Sequence, residues 1–160
     1  MNPQDLKDYI VVPTLHTISD FIPNSLAAEN LLLGTAAQES QFYYLDQTTS
    51  GPGPAYGVFQ MECETHNSHL AWLKQKSEFW KLIQTYQIEW MDNCLEMVGN
   101  LYYATIMCRI HYFRVRETLP AAHDVLGLGN YWKKYYNTYL GKGKVDEFVR
   151  NYERFIKNLR

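Results

Sequence analysis

Apolar side chains recur at intervals of three and four residues along most of the chain, which is the spacing of amphipathic α-helices. The clearest run covers residues 25–39, where Asn24 or Ser25 can cap the first turn. Small residues around Gly34 would let a neighbouring helix approach closely. We therefore expect a central, buried helix that ends at Glu39.

The longest helical pattern covers residues 91–117 and predicts one uninterrupted helix. Proline and glycine suggest where other helices stop. Pro13 is expected to end an N-terminal helix, and Gly127 and Gly129 are expected to break a short helix over residues 121–128. Further helical segments are expected over residues 16–22, 65–73, 79–86, 131–139 and 145–159.

Strands contribute little, because no alternating apolar and polar run is longer than a few residues. The strongest turn cluster, Thr48-Thr49-Ser50-Gly51-Pro52-Gly53-Pro54, falls in a loop over residues 41–56. The predicted fold class is all-α, or α+β at most with a minor hairpin within residues 41–60. At 160 residues, the chain is expected to form a single domain over residues 1–160.

Composition adds an excess of aromatic rings and an uneven charge. Aromatic residues make up 15% of the chain. The core is expected to take most of them, and others can line a groove for sugars, whose C–H faces pack on flat rings. The net charge of −2 argues against a nucleic-acid binder. However, 11 of the 15 Lys and Arg residues lie in 109–160, which could face an anionic polymer such as a bacterial cell wall or simply be solvated.

Cysteine usage and the first residues bear on the cellular compartment. Cys63, Cys94 and Cys108 are an odd number without CxxC spacing, so we expect neither a disulfide framework nor a zinc site. Reduced, mostly buried thiols would favour synthesis in a cytoplasm. No signal peptide is predicted at the N-terminus, and no apolar run approaches the ~20 residues that span a bilayer.

One carboxylate is distinguished by its position. Glu39 ends the apolar run of the central helix and is followed by Ser40 and a polar loop. A carboxyl group at the edge of an apolar wall has its pKa raised by desolvation, as a general acid requires. Glycosidases use such an acid to protonate the leaving oxygen. Taken alone, Glu39 would more ordinarily be a surface carboxylate at a helix end.

Four segments along the chain have the residue types and the order of a known set of motifs. They are Glu39-Ser40, then Gly57-Val58-Phe59-Gln60-Met61 with Thr65, then Asn100-Leu101-Tyr102-Tyr103-Ala104, and finally Tyr136-Asn137-Thr138 before Gly141 and Gly143. Together they resemble the lysozyme-like superfamily, specifically the bacterial soluble lytic transglycosylases and their phage virion relatives. The first two segments carry most of the specificity.

The resemblance implies a lysozyme-like muramidase that cleaves the β-1,4 bond between N-acetylmuramic acid and N-acetylglucosamine in peptidoglycan. Glu39 would be the proton donor, Gln60 would hydrogen-bond N-acetyl or hydroxyl groups, and Tyr136 would point its hydroxyl toward the acid. The other expected substrate-binding residues are Ser40, Met61, Tyr56 and Asn137, the last of which would also brace a turn. No metal or other cofactor is implied.

The resemblance also implies a phage-encoded protein, made in the host cytoplasm and acting on the cell wall. Its expected partners are glycan strands and phage virion or tail proteins, without nucleic acid and without membrane insertion. Lys133, Lys134, Lys142 and Lys144 would rim the groove, or they are ordinary surface lysines. The alternative is a structural protein of the phage particle that keeps the fold without turnover.

A second catalytic carboxylate is left open. Glu62 could activate water, which would make the protein a true hydrolase, or it could be a carboxylate favoured by a helix dipole. Asp46 in the polar loop is another candidate. Without such a base, the acetamido group of the substrate would assist and a 1,6-anhydro sugar would form. The family's proline after the glutamine segment is absent, and Cys63 or Glu64 stands there.

The histidines predict no defined site. His66 and His69 are three residues apart, a spacing that could suit a metal, but no third ligand is indicated nearby. His66 is interpreted as a polar residue at a helix start. No role is predicted for His16, His111 or His123.

Overall fold

The computed structural model describes residues 1–43, 45, 53–87 and 93–160. These residues are mostly helical, with one two-stranded antiparallel sheet, as the coarse fold class predicts. The candidate base Asp46, most of the turn cluster and Met91 lie outside the described residues. The lysozyme-like assignment remains a prediction. Within the described ranges, no helix combines the length and apolarity that crossing a bilayer requires.

The helices and strands of the described residues follow one another in this order: α1 Pro3–Asp5, a π-helical segment Leu6–Val11, α2 Val12–Thr17, α3 Leu26–Glu39, β1 Ala55–Tyr56, β2 Met61–Glu62, α4 Cys63–Leu73, α5 Ser77–Gln84, α6 Glu96–Gly99, α7 Leu101–Phe113, α8 Val125–Trp132, a π-helical segment Lys133–Asn137, and α9 Val145–Phe155. One cluster of buried apolar side chains runs through these elements.

Helix α3 is the central buried helix, and its predicted bounds are confirmed. The Ser25 hydroxyl accepts a hydrogen bond from the Ala28 amide at 3.1 Å and caps the first turn. Helix α9 crosses so close to Gly34 that an added Cβ would lie 2.5 Å from the Phe148 ring. On another side, the Thr35 and Tyr112 hydroxyls are 2.7 Å apart and join α3 to α7. These contacts hold the C-terminal end of α3, and hence Glu39, in place.

Pro13 does not end the N-terminal helix, which continues to Thr17. The π-helical segment before it shifts the hydrogen-bond pattern, so that the Val12 amide donates to the Lys7 carbonyl. Pro13 then lies at the beginning of α2, where a missing N–H is tolerated.

The prediction of one helix over residues 91–117 was wrong. Its described part consists of α6 and α7, separated at Asn100. Asn100 has extended backbone angles, and its side chain accepts from the Tyr103 amide at 3.0 Å as the cap of α7. Apolar periodicity continues across this break because both helices pack on the same core.

Gly127 and Gly129 do not break a helix, because both lie inside α8. Asp124 caps this helix by accepting from the Gly127 amide at 2.8 Å, and an added Cβ at Gly129 would lie 3.1 Å from the Phe148 ring. These glycines therefore permit close contacts rather than a turn. Helix α8 continues directly into the π-helical segment that ends at Asn137.

The short hairpin is present and is fixed by a close approach to α6. Strands β1 and β2 pair Ala55 with Glu62 and Tyr56 with Met61. Gly57 follows β1 with a φ of 75°, and an added Cβ would lie 2.4 Å from the Met97 carbonyl oxygen. Only glycine fits both constraints.

The expectation of reduced cysteines was wrong for Cys63 and Cys94, which form a disulfide with their Cα atoms 5.2 Å apart. A separation of 31 residues carries no local signal. The pairing arises because the start of α4, directly after the hairpin, meets the residues just before α6 in three dimensions. Cys108 is a free, buried thiol, as expected. Since disulfides persist in oxidising compartments, the cysteines no longer favour a reducing one.

Candidate functional site

A cleft of about 730 Å³ opens at the C-terminal end of α3. Its walls are formed by the end of α3, by the hairpin with the start of α4, by the end of α8 with the π-helical segment and the loop after it, and by His111 of α7. Its lining includes Gln38, Glu39, Ala55, Gln60, Met61, Glu62, Thr65, His111, Trp132, Tyr135, Tyr136, Asn137, Thr138, Leu140, Gly141, Lys142 and Gly143. Residues from three of the four segments that the resemblance grouped thus line one cavity: Glu39, Gln60 with Met61 and Thr65, and Tyr136-Asn137-Thr138 with Gly141 and Gly143. The segment 100–104 contributes no residue to this lining.

Glu39 is the last residue of α3, and its side chain is partly buried at the cleft. Burial raises the pKa of its carboxyl from 4.5 to about 7. The indole N–H of Trp132 donates to Oε1 of Glu39 at 2.8 Å, which acts in the opposite direction and lowers the pKa. Because burial is the larger effect, the carboxyl group keeps a proton near neutral pH.

Trp132, the partner of Glu39, was missed by the sequence analysis. Its side chain is fully buried and stacks on Phe148 with ring centroids 5.4 Å apart. Gly143 packs against the other side, where an added Cβ would lie 2.6 Å from the indole. Trp132 precedes Tyr136 by four residues, so both side chains share one helix face. That spacing is the signal that could have indicated it.

Tyr136 connects two walls of the cleft. Its hydroxyl donates to the Phe59 carbonyl at 2.8 Å, and the Glu39 carboxyl is near enough to act on the pKa of Tyr136. Burial raises the pKa of Tyr136, and the neighbouring Cys108 and Glu39 raise it further. Its ring packs against Tyr112 and His111, with centroids 5.5 and 4.8 Å away. Tyr136 is thus a rigid neutral donor that fixes the glutamine segment.

The glutamine segment presents Gln60 and Met61 to the cleft. Gln60 has a φ of 48°, and its side-chain amide donates to the Gly57 carbonyl at 2.8 Å. This bond holds the half-buried side chain at the wall. Met61 is buried and supplies an apolar part of the lining.

Asn137 braces the loop that closes the far end of the cleft. Its Oδ1 accepts from Lys133 Nζ at 2.7 Å, and the same ammonium donates to the Gly141 carbonyl at 2.9 Å. An added Cβ at Gly141 would lie 2.3 Å from the Asn137 carbonyl oxygen. Lys133 is therefore used inside the loop, and Lys142 is the lysine that lines the cleft.

Comparison with models of known protein families, with curated proteins and with solved structures finds no match. The resemblance to lysozyme-like enzymes therefore depends on the motifs alone. The function is inferred from the chemistry of the cleft.

Two predicted substrate-binding residues are placed away from the cleft lining that the described residues form. Ser40 is fully buried, where its hydroxyl donates to the Ala36 carbonyl and accepts from the Phe42 amide. Tyr56 lies on β1 and packs against the core. By contrast, Glu62 is solvent-exposed and lines the cleft together with Glu39.

Backbone strain concentrates around the cleft. Among the described residues, the non-glycine residues with positive φ are Gln41, Phe42, Gln60 and Thr138, with values of 48°, 63°, 48° and 62°. Gln41 and Phe42 turn the chain sharply after Glu39, while Gln60 and Thr138 are part of the lining. Strained residues of this kind persist where the surrounding structure holds a site in shape.

The histidines do not form a metal site within the described ranges, where no group of three or more His, Cys, Asp or Glu side chains is arranged to hold an ion. His66 lies 2.8 Å from the Tyr103 hydroxyl, and His69 lies 3.1 Å from His111. The spacing of His66 and His69 therefore serves hydrogen bonding inside the fold.

Proposed function

We propose that this protein is a peptidoglycan-cleaving muramidase that acts on the β-1,4 bond between N-acetylmuramic acid and N-acetylglucosamine. The observation that carries the proposal is the Glu39 carboxyl, which opens into the cleft and whose pKa is raised to about 7 by burial. With a pKa of about 7, roughly half of the Glu39 carboxyl groups still carry a proton at neutral pH, and glycosidic bond cleavage needs such an acid.

The hydrogen bond from Trp132 assigns different tasks to the two oxygens of Glu39. Because the indole N–H donates to Oε1, the acidic proton resides on Oε2. In the reaction, this proton passes to the glycosidic oxygen while the bond from that oxygen to the anomeric carbon breaks. The leaving sugar departs as an alcohol, and positive charge develops on the anomeric carbon.

Two routes complete the reaction. Glu62, in the same lining, can take a proton from water as the water attacks the anomeric carbon, which yields a reducing sugar. Alternatively, the acetamido group of the substrate stabilises the charge, and the 6-hydroxyl of the same sugar closes a 1,6-anhydro ring. Glu39 accepts the hydroxyl proton in that second route.

The remaining lining suits a glycan strand with attached peptides. Tyr135 and Leu140 offer apolar surface for sugar C–H faces, while Gln60 and Thr138 offer hydrogen bonds. The Lys142 ammonium can attract the carboxylates of wall peptides. We extend the proposal to a phage-encoded, virion-associated or endolysin-like enzyme that meets its substrate at the bacterial wall.

Incubation with purified peptidoglycan tests the proposal. The wild-type protein is expected to release soluble muropeptides that Glu39→Gln does not release. Mass spectrometry then separates reducing from anhydro products, and Glu62→Gln is expected to abolish only the reducing ones. A wild-type protein that releases no muropeptides would contradict the proposal and favour a structural protein of the phage particle.

A further inference from the structure

A chain of hydrogen bonds reaches the cleft from the far side of α7. The Arg114 guanidinium donates to Nδ1 of His69 at 2.7 Å. His69 Nε2 lies 3.1 Å from His111 Nδ1, and His111 Nε2 lies 2.7 Å from the Tyr135 carbonyl oxygen. His69 is only 4% exposed, and His111 is a lining residue of the cleft.

The groups at the two ends of this row of hydrogen bonds determine which nitrogen of each histidine carries a proton. A guanidinium only donates, so Nδ1 of His69 must accept and its Nε2 must carry the hydrogen. His111 then accepts at Nδ1 and donates from Nε2, which is what the Tyr135 carbonyl requires. Both imidazoles are therefore neutral, and both are Nε2–H tautomers.

The carbonyl at the end of this chain belongs to the turn that forms one cleft wall. Tyr135 lies in the π-helical segment Lys133–Asn137, where the helix is ending and its last carbonyls need new donors. His111 supplies one of them, and its ring also packs edge-on against Tyr136 with centroids 4.8 Å apart. His111 thus restrains two successive residues of the wall.

We propose that His111, oriented by His69 and Arg114, is a positioning residue that holds the Tyr135–Tyr136 turn against the Glu39 wall and so keeps the acid shielded from water. The inference deepens the proposed function and rests on it, because shielding is what allows Glu39 to act as an acid. No direct contact of His111 with substrate is required.

The surroundings of His69 and His111 favour the neutral form of both imidazoles. Burial lowers the pKa of both histidines, that of His69 to about 3. His111 and Arg114 lower the pKa of His69 further, whereas the bond to the Tyr135 carbonyl acts against the lowered pKa of His111 without reversing it. A proton on either Nδ1 would place donor against donor. The groups around the pair are His66 from α4, Tyr112 from α7, Arg114 directly after α7, and Tyr135 and Tyr136 from the π-helical segment. Glu39 and Glu62 line the same cleft as His111.

The test reads the pKa of the Glu39 carboxyl by NMR, which does not depend on turnover. His111→Leu removes the donor and is expected to lower that pKa by about one unit, a tenfold fall in the ratio of protonated to ionised carboxyl near neutral pH. His111→Gln can still donate to the Tyr135 carbonyl and should restore the wild-type value. His123→Gln, at an exposed histidine outside the cleft lining, should leave it unchanged.

His69→Leu provides a second variant in case His111→Leu does not fold, since it keeps His111 but removes its orienting partner. A Glu39 pKa that stays at the wild-type value in both folded Leu variants would overturn the proposal, as would ¹⁵N shifts that show a charged His69 imidazole at pH 5.5. A lowered pKa in a protein without activity on peptidoglycan would retain the positioning role and reject the proposed function.

Discussion

Replacing Glu39 with glutamine should reduce the turnover of peptidoglycan about 10²–10⁴-fold. The same change should make the folded protein more stable than the wild type at alkaline pH. The loss of turnover follows because an amide cannot donate the proton. The gain in stability follows because glutamine is neutral at every pH, while its Oε1 can still accept from Trp132. The gain is the free energy of unfolding of the variant minus that of the wild type. We expect this gain to be about 3 kcal/mol larger at pH 8 than at pH 4.

The sign follows from the pKa of Glu39 in each state. The folded pKa is about 7 and the ordinary value is 4.5, so the folded state retains a proton that the unfolded state loses between these values. The contribution of Glu39 to wild-type stability is therefore fully present below pH 4.5, falls as the pH rises to 7, and does not change further above that. Urea unfolding at several pH values measures it. A difference between variant and wild type that does not change with pH would contradict burial of the carboxyl.

The Cys63–Cys94 disulfide should contribute about 3–4 kcal/mol to stability, because it closes a loop of 31 residues in the unfolded chain. The double variant Cys63→Ser/Cys94→Ser is expected to lose this amount in urea unfolding. Cys63 directly follows Glu62, so the loss of the bond should also loosen the hairpin wall and reduce turnover.

Reductant provides the matched comparison for the disulfide. It should destabilise the wild type and the Cys108→Ala variant alike, because the Cys108 thiol is free, and it should leave the double variant unaffected. A wild-type protein whose unfolding midpoint does not respond to reductant under denaturing conditions would show that the bond is absent.

The parts of the fold that were predictable from sequence are those determined by local patterns. The bounds of α3 follow from its cap at Ser25 and its apolar run, and they place Glu39 at a helix end. Pro13 and Gly129 were interpreted as helix ends, which is their usual local meaning, whereas Asn100 was placed inside one predicted helix although asparagine is a common cap. A preceding π-helical segment, a capping side chain and a crossing helix decide their structural roles instead.

Contacts between distant residues could not be predicted. Trp132 and Glu39 are 93 positions apart, and their hydrogen bond depends on how α8 packs against α3. The same is true of the His69–His111 contact across 42 positions and of the disulfide. No periodicity in the sequence encodes such pairs, because each is produced by the tertiary packing that also forms the cleft.

The titration of the Glu39 carboxyl by NMR is the most direct measurement of the central claim, that this acid keeps its proton near neutral pH. We expect a midpoint of about 7 in the wild type, and a higher midpoint in Trp132→Phe, which removes the N–H that lowers the pKa while keeping an aromatic ring against Phe148. A wild-type midpoint at the ordinary value of 4.5 would mean that Glu39 is ionised at neutral pH, and it would contradict the account.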